Sequence, residues 1–430
     1  MAARREVVIT GIGLVSPLGT SRESTWKRII AGESAARRIK QFDATTWPTK
    51  IACEVDPITL NDEALRADLR PFANRPTEFG VQAAYEAVMD SGFLVHVDPQ
   101  KFGVAIGASI GAISPSQLAH LLVGMPIEEG LPLLSQTVNK TNQRFLTMRN
   151  HPGTLGTLLC SQWHAKGPMT TIHTACASSG QSLGQAYLQI KRGDCDVMLA
   201  GGADSLAGEL LLAGFCLLGT LSTRNDAPEK ASRPFDRERD GFVASEGAAM
   251  LILEEKQHAI RRGAKIYAHF AGYGETASAY RITDLPEDGR GIVEAMVHAV
   301  NDAQLDWTDI HYINAHGTST QLNDRIEAQG IRRVFGSRHC YPAISSTKSE
   351  IGHLISAAGA MEAAFTALAL RDQIAPPTIN LVHTDCGDDL NFIREKAVSL
   401  RIEAAISNSI GFGGSNSVIA LSRYKESSYD

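Results

Sequence analysis

A cysteine stands at the junction between a predicted strand and a predicted helix. The apolar run that ends at Thr174 leads through Ala175 to Cys176, and a segment rich in Ala, Ser, Gly, Leu and Gln continues to Gly193. At a helix N-terminus, unpaired amides and the positive end of the dipole lower the pKa of a thiol and can hydrogen-bond a developing oxyanion. The position therefore predicts a nucleophilic thiolate. A small buried hydrophobic residue is the alternative, and these residues alone leave both open.

Two of the thirteen histidines lie in glycine-containing loops that could bring them near this cysteine. His316 follows the predicted strand Ile310–Asn314, and His353 precedes a long Ala-rich segment. Loops at strand ends are where α/β folds collect their catalytic groups. Neither histidine belongs to an H-E-x-x-H motif or has a carboxylate at ligand spacing, so no metal site is expected. A capping or core role is the alternative for each histidine taken singly.

A third loop, Ser407 to Ser417, reads SNSIGFGGSNS and carries one aromatic residue among small ones. Glycines of this kind let the backbone approach another backbone or a ligand closely. Phe412 is therefore either a mobile flap over a site or a core aromatic on a glycine-rich turn, and the second situation is the commoner one.

The elements that would position these residues alternate between short apolar runs and helical segments, which is typical of an α/β protein with buried strands. Strands are predicted at Val7–Ile12, Gly103–Gly107, Thr170–Thr174, Val197–Ala200, Ala249–Leu253, Ile310–Asn314 and Ala405–Asn408. Helices are predicted at Thr77–Ser91, Ala177–Arg192, Gly289–Asp302, Asn323–Phe335 and Ala357–Arg371. Two similar glycine-containing segments each follow a predicted strand and open about half of the chain: GIGLVSPLG near residue 11 and GYGETAS near residue 272. This internal similarity, or echo, would fit a duplicated unit.

The composition of the 430 residues is that of a globular protein, with 43% hydrophobic and 20% charged residues. A net charge of −6 gives no general reason to expect nucleic-acid binding. The longest uncharged run, Phe102 to Ile127, is broken by Gly, Ser, Gln and Pro, so it does not predict a membrane span. The N-terminus lacks the apolar core of a signal peptide, and the seven scattered cysteines form no C-x-x-C pair. A cytoplasmic protein without a disulfide framework is expected.

Nine motifs, taken in order along the chain, resemble those of the β-ketoacyl-[acyl-carrier-protein] synthases, the elongating condensing enzymes of the thiolase superfamily. They are VVITGIGLVSPLG, GVAIGASIG, GP…TACAS, DVMLAGGAD, GF…LST, SRPFDRERDGFVASEGAAMLILE, NAHGTSTQLND, SSTKSEIGHLISAAG and SNSIGFGGSN. Each motif is a modest signal by itself, whereas nine in family order extend nearly from end to end.

The resemblance implies a fold and a division of the chain. The fold is α/β, a thiolase-like five-layer α-β-α-β-α arrangement built from two duplicated halves. Residues 1–262 would form the N-terminal half that carries the nucleophile, and residues 263–430 the C-terminal half that carries two catalytic histidines. The family forms dimers, so a homodimer is expected, with a heterodimer that includes a chain-length-factor-like subunit as the alternative.

The resemblance also assigns catalytic roles to four residues. Cys176 matches the acyl-accepting nucleophile, and His316 and His353 match the pair that binds the carbonyl of the malonyl thioester. Lys348 matches the lysine five residues before the second histidine. Such a site would carry out covalent catalysis through a thioester on the cysteine.

Six further positions are implied to support the reaction or bind its substrates. Glu362 would be the partner of Lys348, and the amide of Phe412, a gating residue, would form an oxyanion hole with the amide of Cys176. The substrate-binding positions, two for the phosphopantetheine arm and two for the acyl pocket, are Thr318, Thr320, Phe215 and Ile110.

The activity implied is that of an acyltransferase, a decarboxylative Claisen condensation in fatty-acid or polyketide/polyene elongation. Both substrates would be carried on the phosphopantetheine of acyl carrier protein, with no metal or organic cofactor. Several departures from the usual pattern leave the chain length and the pathway open: His173 before the nucleophile, ASEGAA at Ala244–Ala249, the extra leucines Leu217 and Leu218, and a divergent region at Leu131–Leu159.

Three other functions can be weighed on residues. A degradative thiolase would need a second cysteine in the loop Gly411–Asn416, which has none. An initiating or chalcone-type synthase would have asparagine in place of His353. The third function is that of a non-catalytic, chain-length-factor-like partner subunit of a ketosynthase heterodimer. Such a subunit usually lacks the nucleophile that Cys176 provides. We keep this function as the alternative to the condensing enzyme.

Overall fold

The computed structural model describes residues 5–109, 145–281, 284–336 and 341–425. These ranges contain fourteen strands: β1 (Val7–Val15), β2 (Arg37–Arg38), β3 (Ile51–Ala52), β4 (Phe102–Ala108), β5 (Met169–Ile172), β6 (Val197–Ser205), β7 (Glu246–Glu255), β8 (Ala268–Ala277), β9 (Ile310–Asn314), β10 (Ala343–Ser345), β11 (Ile374–Ala375), β12 (Val398–Ser399), β13 (Ala404–Ile410) and β14 (Ser415–Ser422). They also contain eleven α-helices: α1 (Arg22–Ile30), α2 (Arg75–Ser91), α3 (Leu146–Arg149), α4 (Thr154–Trp163), α5 (Ser178–Arg192), α6 (Glu209–Leu217), α7 (Lys256–Arg261), α8 (Arg290–Asp302), α9 (Gln321–Phe335), α10 (Lys348–Ile351) and α11 (Ala358–Asp372).

Ten strands form one sheet whose two ends have the same topology. The strand order is β10-β9-β13-β14-β8-β1-β7-β6-β4-β5. In the N-terminal part, β4 pairs in parallel with β5 and β6, while β7 is antiparallel to β6 and β1. In the C-terminal part, β9 pairs in parallel with β10 and β13, while β14 is antiparallel to β13 and β8. The antiparallel pair β1–β8 joins the two parts.

Helices cover both faces of each part of the sheet, and the helices between the parts are the most buried. Helix α2 packs on β1, β7 and β6, and α8 packs on β8, β14 and β13. Helices α5 and α11 contact each other and strands of both parts. Every residue from Ala358 to Leu370 in α11 is buried, as expected for a helix enclosed on all sides. The predicted five-layer α/β fold with two duplicated halves is confirmed.

The predicted strands and helices are confirmed, with ends that differ by a few residues. β9 has the predicted bounds, whereas β5 ends at Ile172 instead of Thr174 because the chain turns sharply before Cys176. The prediction that the two echoing glycine motifs follow strands is wrong: most of the first lies inside β1 and most of the second inside β8. The strands β1 and β8 occupy equivalent positions in the two parts, so the echo itself reflects the duplication.

No described helix has the length and apolar character needed to cross a membrane. The expectation of a cytoplasmic protein stays a prediction, as does the proposed boundary between residues 262 and 263.

Candidate active site

Cys176 sits in a tight turn between β5 and α5. The residue before it, Ala175, has a left-handed backbone with φ 49°, a strained conformation for a residue other than glycine. Ser178 stabilises the turn, since its Oγ donates to the Ala175 carbonyl at 2.7 Å and accepts from the Thr174 amide at 2.9 Å. The small side chains around the cysteine let this turn lie in the interior, where Cys176 is 2% exposed.

The C-terminal half repeats this turn beside the same site. Ile355 has φ 44°, and the 3-10 turn that it begins leads directly into α11. The amide of Ser356, which occupies the position equivalent to Cys176, donates to Oδ2 of Asp204 at 2.9 Å. His353 lies two residues before Ile355, where this turn begins.

The two predicted histidines lie together beside the thiol. Nε2 of His353 is 3.1 Å from Sγ of Cys176, and the centres of the His316 and His353 rings are 5.4 Å apart. The backbone of His353 is held by its amide hydrogen bond to the Val243 carbonyl at 2.8 Å. The structure therefore brings together Cys176 from one half and the two histidines from the other.

A buried carboxylate on α9 holds the loop that carries His316. Oε1 and Oε2 of Glu327 accept the amides of His316 and Gly317, each at 2.8 Å, and Oε1 also accepts from Nδ2 of Asn408 at 3.0 Å. Sequence reasoning missed Glu327. The sequence contains a signal for it: Asp324 and Glu327 are acidic residues three positions apart on the buried side of an amphipathic helix, where charged residues are rare unless they have partners.

Lys348 lies between His316 and Glu362 in the interior. Its Nζ donates to the His316 carbonyl at 2.5 Å, is 3.3 Å from Nδ1 of His316, and forms an ion pair with Glu362. All three side chains are buried. Since an ammonium group only donates, Nδ1 of a neutral His316 is the acceptor, and its proton is on Nε2.

Burial sets the protonation of the site. It raises the pKa of the Cys176 thiol to about 12, although Lys348 and the Phe412 amide act in the opposite direction. Burial and the charge of Lys348 lower the pKa values of His316 and His353 well below their ordinary range. For this thiol, loss of solvation outweighs the effect of the helix N-terminus on the pKa, and the role of Cys176 as the nucleophile stays a prediction. At neutral pH the site holds a thiol and two neutral imidazoles.

A cavity of about 270 Å³ opens onto these groups. Thr318 and Thr320 line it, and their hydroxyls are 2.9 Å apart. Phe412 also lines it, and its amide hydrogen-bonds the sulfur of Cys176. Phe215 does not line this cavity but packs against the apolar cluster that contains Cys176. Ile110, predicted for the acyl pocket, lies outside the described residues.

The donor atoms of Cys176, His316 and His353 lie within 4.8 Å of one another, close enough to hold a metal ion. Zinc sites in proteins almost always have four ligands and need a deprotonated thiolate. Here the thiol is protonated, and the ammonium group of Lys348 already places a positive charge next to His316. The site is therefore better suited to proton transfer and hydrogen bonding than to binding a cation.

Known proteins resemble this chain over nearly all of its length. Family models described as the N-terminal and C-terminal domains of beta-ketoacyl synthase match residues 4–259 and 267–382. The 3-oxoacyl-[acyl-carrier-protein] synthase 2 of Coxiella burnetii is 40% identical over 429 residues, which are 98% of this chain and 99% of that protein. A beta-ketoacyl synthase structure from Burkholderia phymatum STM815 is 34% identical with a TM-score of 0.87, covering 98% of this chain and all of that one.

A second solved structure, described as a type II PKS acyl-carrier protein in complex with its ketosynthase bound to the hexaketide, is 31% identical with a TM-score of 0.85. That match covers 98% of this chain and 100% of the other. The agreement in sequence extends through both halves, and the agreement in structure covers 98% of this chain. The chain is therefore a member of the beta-ketoacyl synthase family.

Proposed function

We propose that this chain is an acyltransferase that condenses an acyl group bound to Cys176 with malonyl-acyl carrier protein in fatty-acid or polyketide elongation. The observation that carries the proposal is the 3.1 Å contact between Sγ of Cys176 and Nε2 of His353, with His316 alongside. A nucleophile, a base and a second hydrogen-bond donor thus meet in one buried cavity. The family membership and the name of the Coxiella burnetii relative, a 3-oxoacyl-[acyl-carrier-protein] synthase 2, support the same chemistry.

In the first step the sulfur of Cys176 attacks the thioester of an acyl-carrier protein. His353 is within reach of the thiol proton, and its lowered pKa keeps its imidazole neutral and able to accept. The carbon–sulfur bond to the carrier breaks as the new thioester forms. The proton then returns to the phosphopantetheine thiolate that leaves, so the acylated enzyme carries no net change in charge.

In the second step the malonyl thioester binds beside the two imidazoles. His316 can donate from Nε2, because Lys348 occupies its Nδ1 side. Hydrogen bonds to the thioester oxygen from His316 and from the tautomer of His353 that carries its proton on Nε2 would stabilise the enolate that forms as carbon dioxide leaves. We assign Thr318 and Thr320 to the phosphopantetheine arm, since both hydroxyls line the cavity that leads to the thiol.

In the third step the enolate carbon attacks the Cys176 thioester. The Phe412 amide, which points at the sulfur in the free enzyme, is placed to help stabilise the oxyanion together with the Cys176 amide. The thiolate leaves and takes up one proton from solvent, because its original proton departed on the first carrier thiol, and the β-ketoacyl product departs on carrier protein. We assign Lys348 and Glu362 an electrostatic role, because they form a buried ion pair and the charge of Lys348 acts on the Cys176 thiol.

The proposed reaction draws on no metal or organic cofactor, since the thioester supplies the leaving group and the malonyl carboxylate supplies the carbanion. The partner we propose is acyl carrier protein, in agreement with the structural relative solved as a complex of such a protein with its ketosynthase. We also expect a homodimer or a heterodimer with a chain-length-factor-like subunit. Phe215 and Ile110 keep their proposed role in the acyl pocket.

The test is the intact mass of the purified protein after incubation with a panel of acyl-carrier proteins, with Cys176→Ala alongside. We expect a gain of one acyl group in the wild-type chain and none in the variant. Subsequent addition of malonyl-carrier protein should release a β-ketoacyl-carrier protein and restore the original mass. A folded wild-type protein that no donor labels, alone or with a chain-length-factor-like subunit, would contradict the proposal and favour the non-catalytic alternative.

A further inference from the structure

Helix α6 is apolar on every side, yet one of its faces is exposed. Its sequence ELLLAGFCL contains a single charged residue, Glu209, and only Leu212 is buried. Leu210 and Leu217, which lie two turns apart on one face, are 53% and 90% exposed. A helix that is apolar all round is normally covered, so this face is suited to contact another molecule.

The C-terminal end of this helix lies at the opening of the cavity that contains Cys176. Leu218, the residue that follows α6, lines the cavity and is also 54% exposed, so it extends from the interior to the surface. Leu217 is its neighbour in the chain and the most exposed of the large hydrophobic side chains in the described part of the molecule. Leu218 therefore forms an apolar rim on one side of the opening, and the exposed Leu217 extends this apolar surface outward.

We propose that Leu217 and Leu218 are a docking contact for the carrier protein that delivers the substrate. This inference rests on the proposed function. A thioester tethered by a phosphopantetheine arm can reach Cys176 only if its carrier sits over the opening. The carrier that fits this rim presents an apolar side chain next to the point where its arm is attached.

The charges at the opening favour an apolar contact over an ionic one. The cavity lining includes Asp284 but no lysine or arginine among the described residues. Arg281, close to the opening in sequence, is paired with Asp284 at 3.3 Å. Covering the exposed Leu217 side chain would therefore supply the attraction at this point, through removal of apolar surface from water.

The experiment compares two donors of one acyl group, the one that labels the wild-type chain fastest. The first donor is the acyl-carrier protein, and the second is the acyl-coenzyme A, which has the same phosphopantetheine arm without the protein. The rate of acyl transfer to Cys176 is followed by intact mass for wild type, Leu217→Ser, Leu217→Met and Val95→Ser. Val95 is a matched control, because it is 87% exposed and lies on a loop after α2.

We expect the ratio of kcat/KM for the carrier-protein donor to that for the coenzyme A donor to fall about tenfold or more in Leu217→Ser. The ratio should stay within about twofold of wild type in Leu217→Met and Val95→Ser. The loss should persist at high ionic strength, because contact between apolar surfaces is not screened by salt.

Two results would overturn the inference: a ratio in Leu217→Ser that stays at the wild-type value, whether or not the two rates fall together, or a loss that disappears at high salt. These differ from a failure of the proposed function, in which neither donor labels the wild-type chain. If acyl-coenzyme A labels the wild-type chain and the ratio is unchanged in Leu217→Ser, the docking contact is contradicted and the proposed function is not.

Discussion

At neutral pH the thiol of Cys176 keeps its proton, since burial raises its pKa to about 12. His316 and His353 are neutral for the same reason, because burial disfavours their charged forms. Glu362 differs, since burial raises its pKa to about 7 while the neighbouring Lys348 acts against that rise. Glu362 is thus the group of this cluster whose charge changes near neutrality.

Replacing His316 by alanine should affect the decarboxylation most. The change removes one hydrogen-bond donor to the enolate, which we expect to cost about 2.7–4 kcal/mol of barrier and to slow decarboxylation roughly 10²–10³-fold. The measurement is the rate at which the wild-type and variant proteins release carbon dioxide from malonyl-carrier protein. His298→Ala is the control, because His298 is exposed on the outer helix α8. Decarboxylation at the wild-type rate in His316→Ala would contradict the role assigned to this residue.

Glu362 should give the condensation rate an acid limb near neutrality. As the pH falls through about 7, the carboxylate gains a proton and Lys348 loses its negative partner, so we expect kcat/KM to fall. Glu362→Gln has no such proton to gain, and its rate should be lower but flat across the same interval. The measurement is the pH dependence of kcat/KM for both proteins. An unchanged acid limb in the variant would assign the titration to another group.

At the scale of elements, both halves use glycines in a central strand to pack a helix closely against it. Glycines in β1 let α2 lie directly against the strand, and glycines in β8 do so for α8. A Cβ added at Gly13 would collide with the carbonyl of Ala83, and one at Gly274 with the carbonyl of Ala295. This close approach explains why both glycine motifs lie inside strands and not after them.

Gly274→Ala should therefore destabilise the protein. The added methyl group has to displace the backbone of α8, and overpacking of this kind costs about 1–3 kcal/mol of the free energy of unfolding. Urea denaturation measures the change, and Gly13→Ala should behave alike. Gly214→Ala is the matched control, because that glycine lies within α6 and has open space around it. Alanine at this helical position should raise the free energy of unfolding by about 0.5–1 kcal/mol. A Gly274→Ala protein as stable as wild type would show that α8 can shift freely.

At the scale of the whole molecule, the site exists only where the two halves meet. Cys176 comes from the N-terminal half, and the histidines, Lys348 and Glu362 from the other. The pair β1–β8 makes the sheet continuous, and α5 packs against α11 between the halves. A change that loosens either half should therefore disturb the catalytic geometry.

Because of this shared interior, both halves should unfold together. Cys53 and Cys386 are buried free thiols, one in each half. Pulsed thiol labelling along a urea titration, read by peptide mass, should give coincident midpoints for the two cysteines. Separate midpoints would show that the halves are independent folding units.

Much of the fold and of the candidate site could be predicted from the sequence. The β9 strand has the predicted bounds, since three of its five residues are isoleucine or tyrosine, which favour strands. The predicted strand, turn and helix around Cys176 are also present. The small residues next to Cys176 mark the start of α5, and Gly193 marks its end. The order of nine motifs is enough to indicate the family, and the family models that match both halves of the chain confirm it.

The tertiary structure decided what depends on distant residues. Local pattern predicted a thiolate at Cys176, but a pKa follows from desolvation, which is set by the segments that cover the turn. The role of Glu327 was missed because its partners, His316 and Asn408, come from other elements. The sequence by itself thus determined the elements and the chemical type of each group. Only folding determined which groups meet and which of them carry charge, because both depend on burial among residues far apart in the chain.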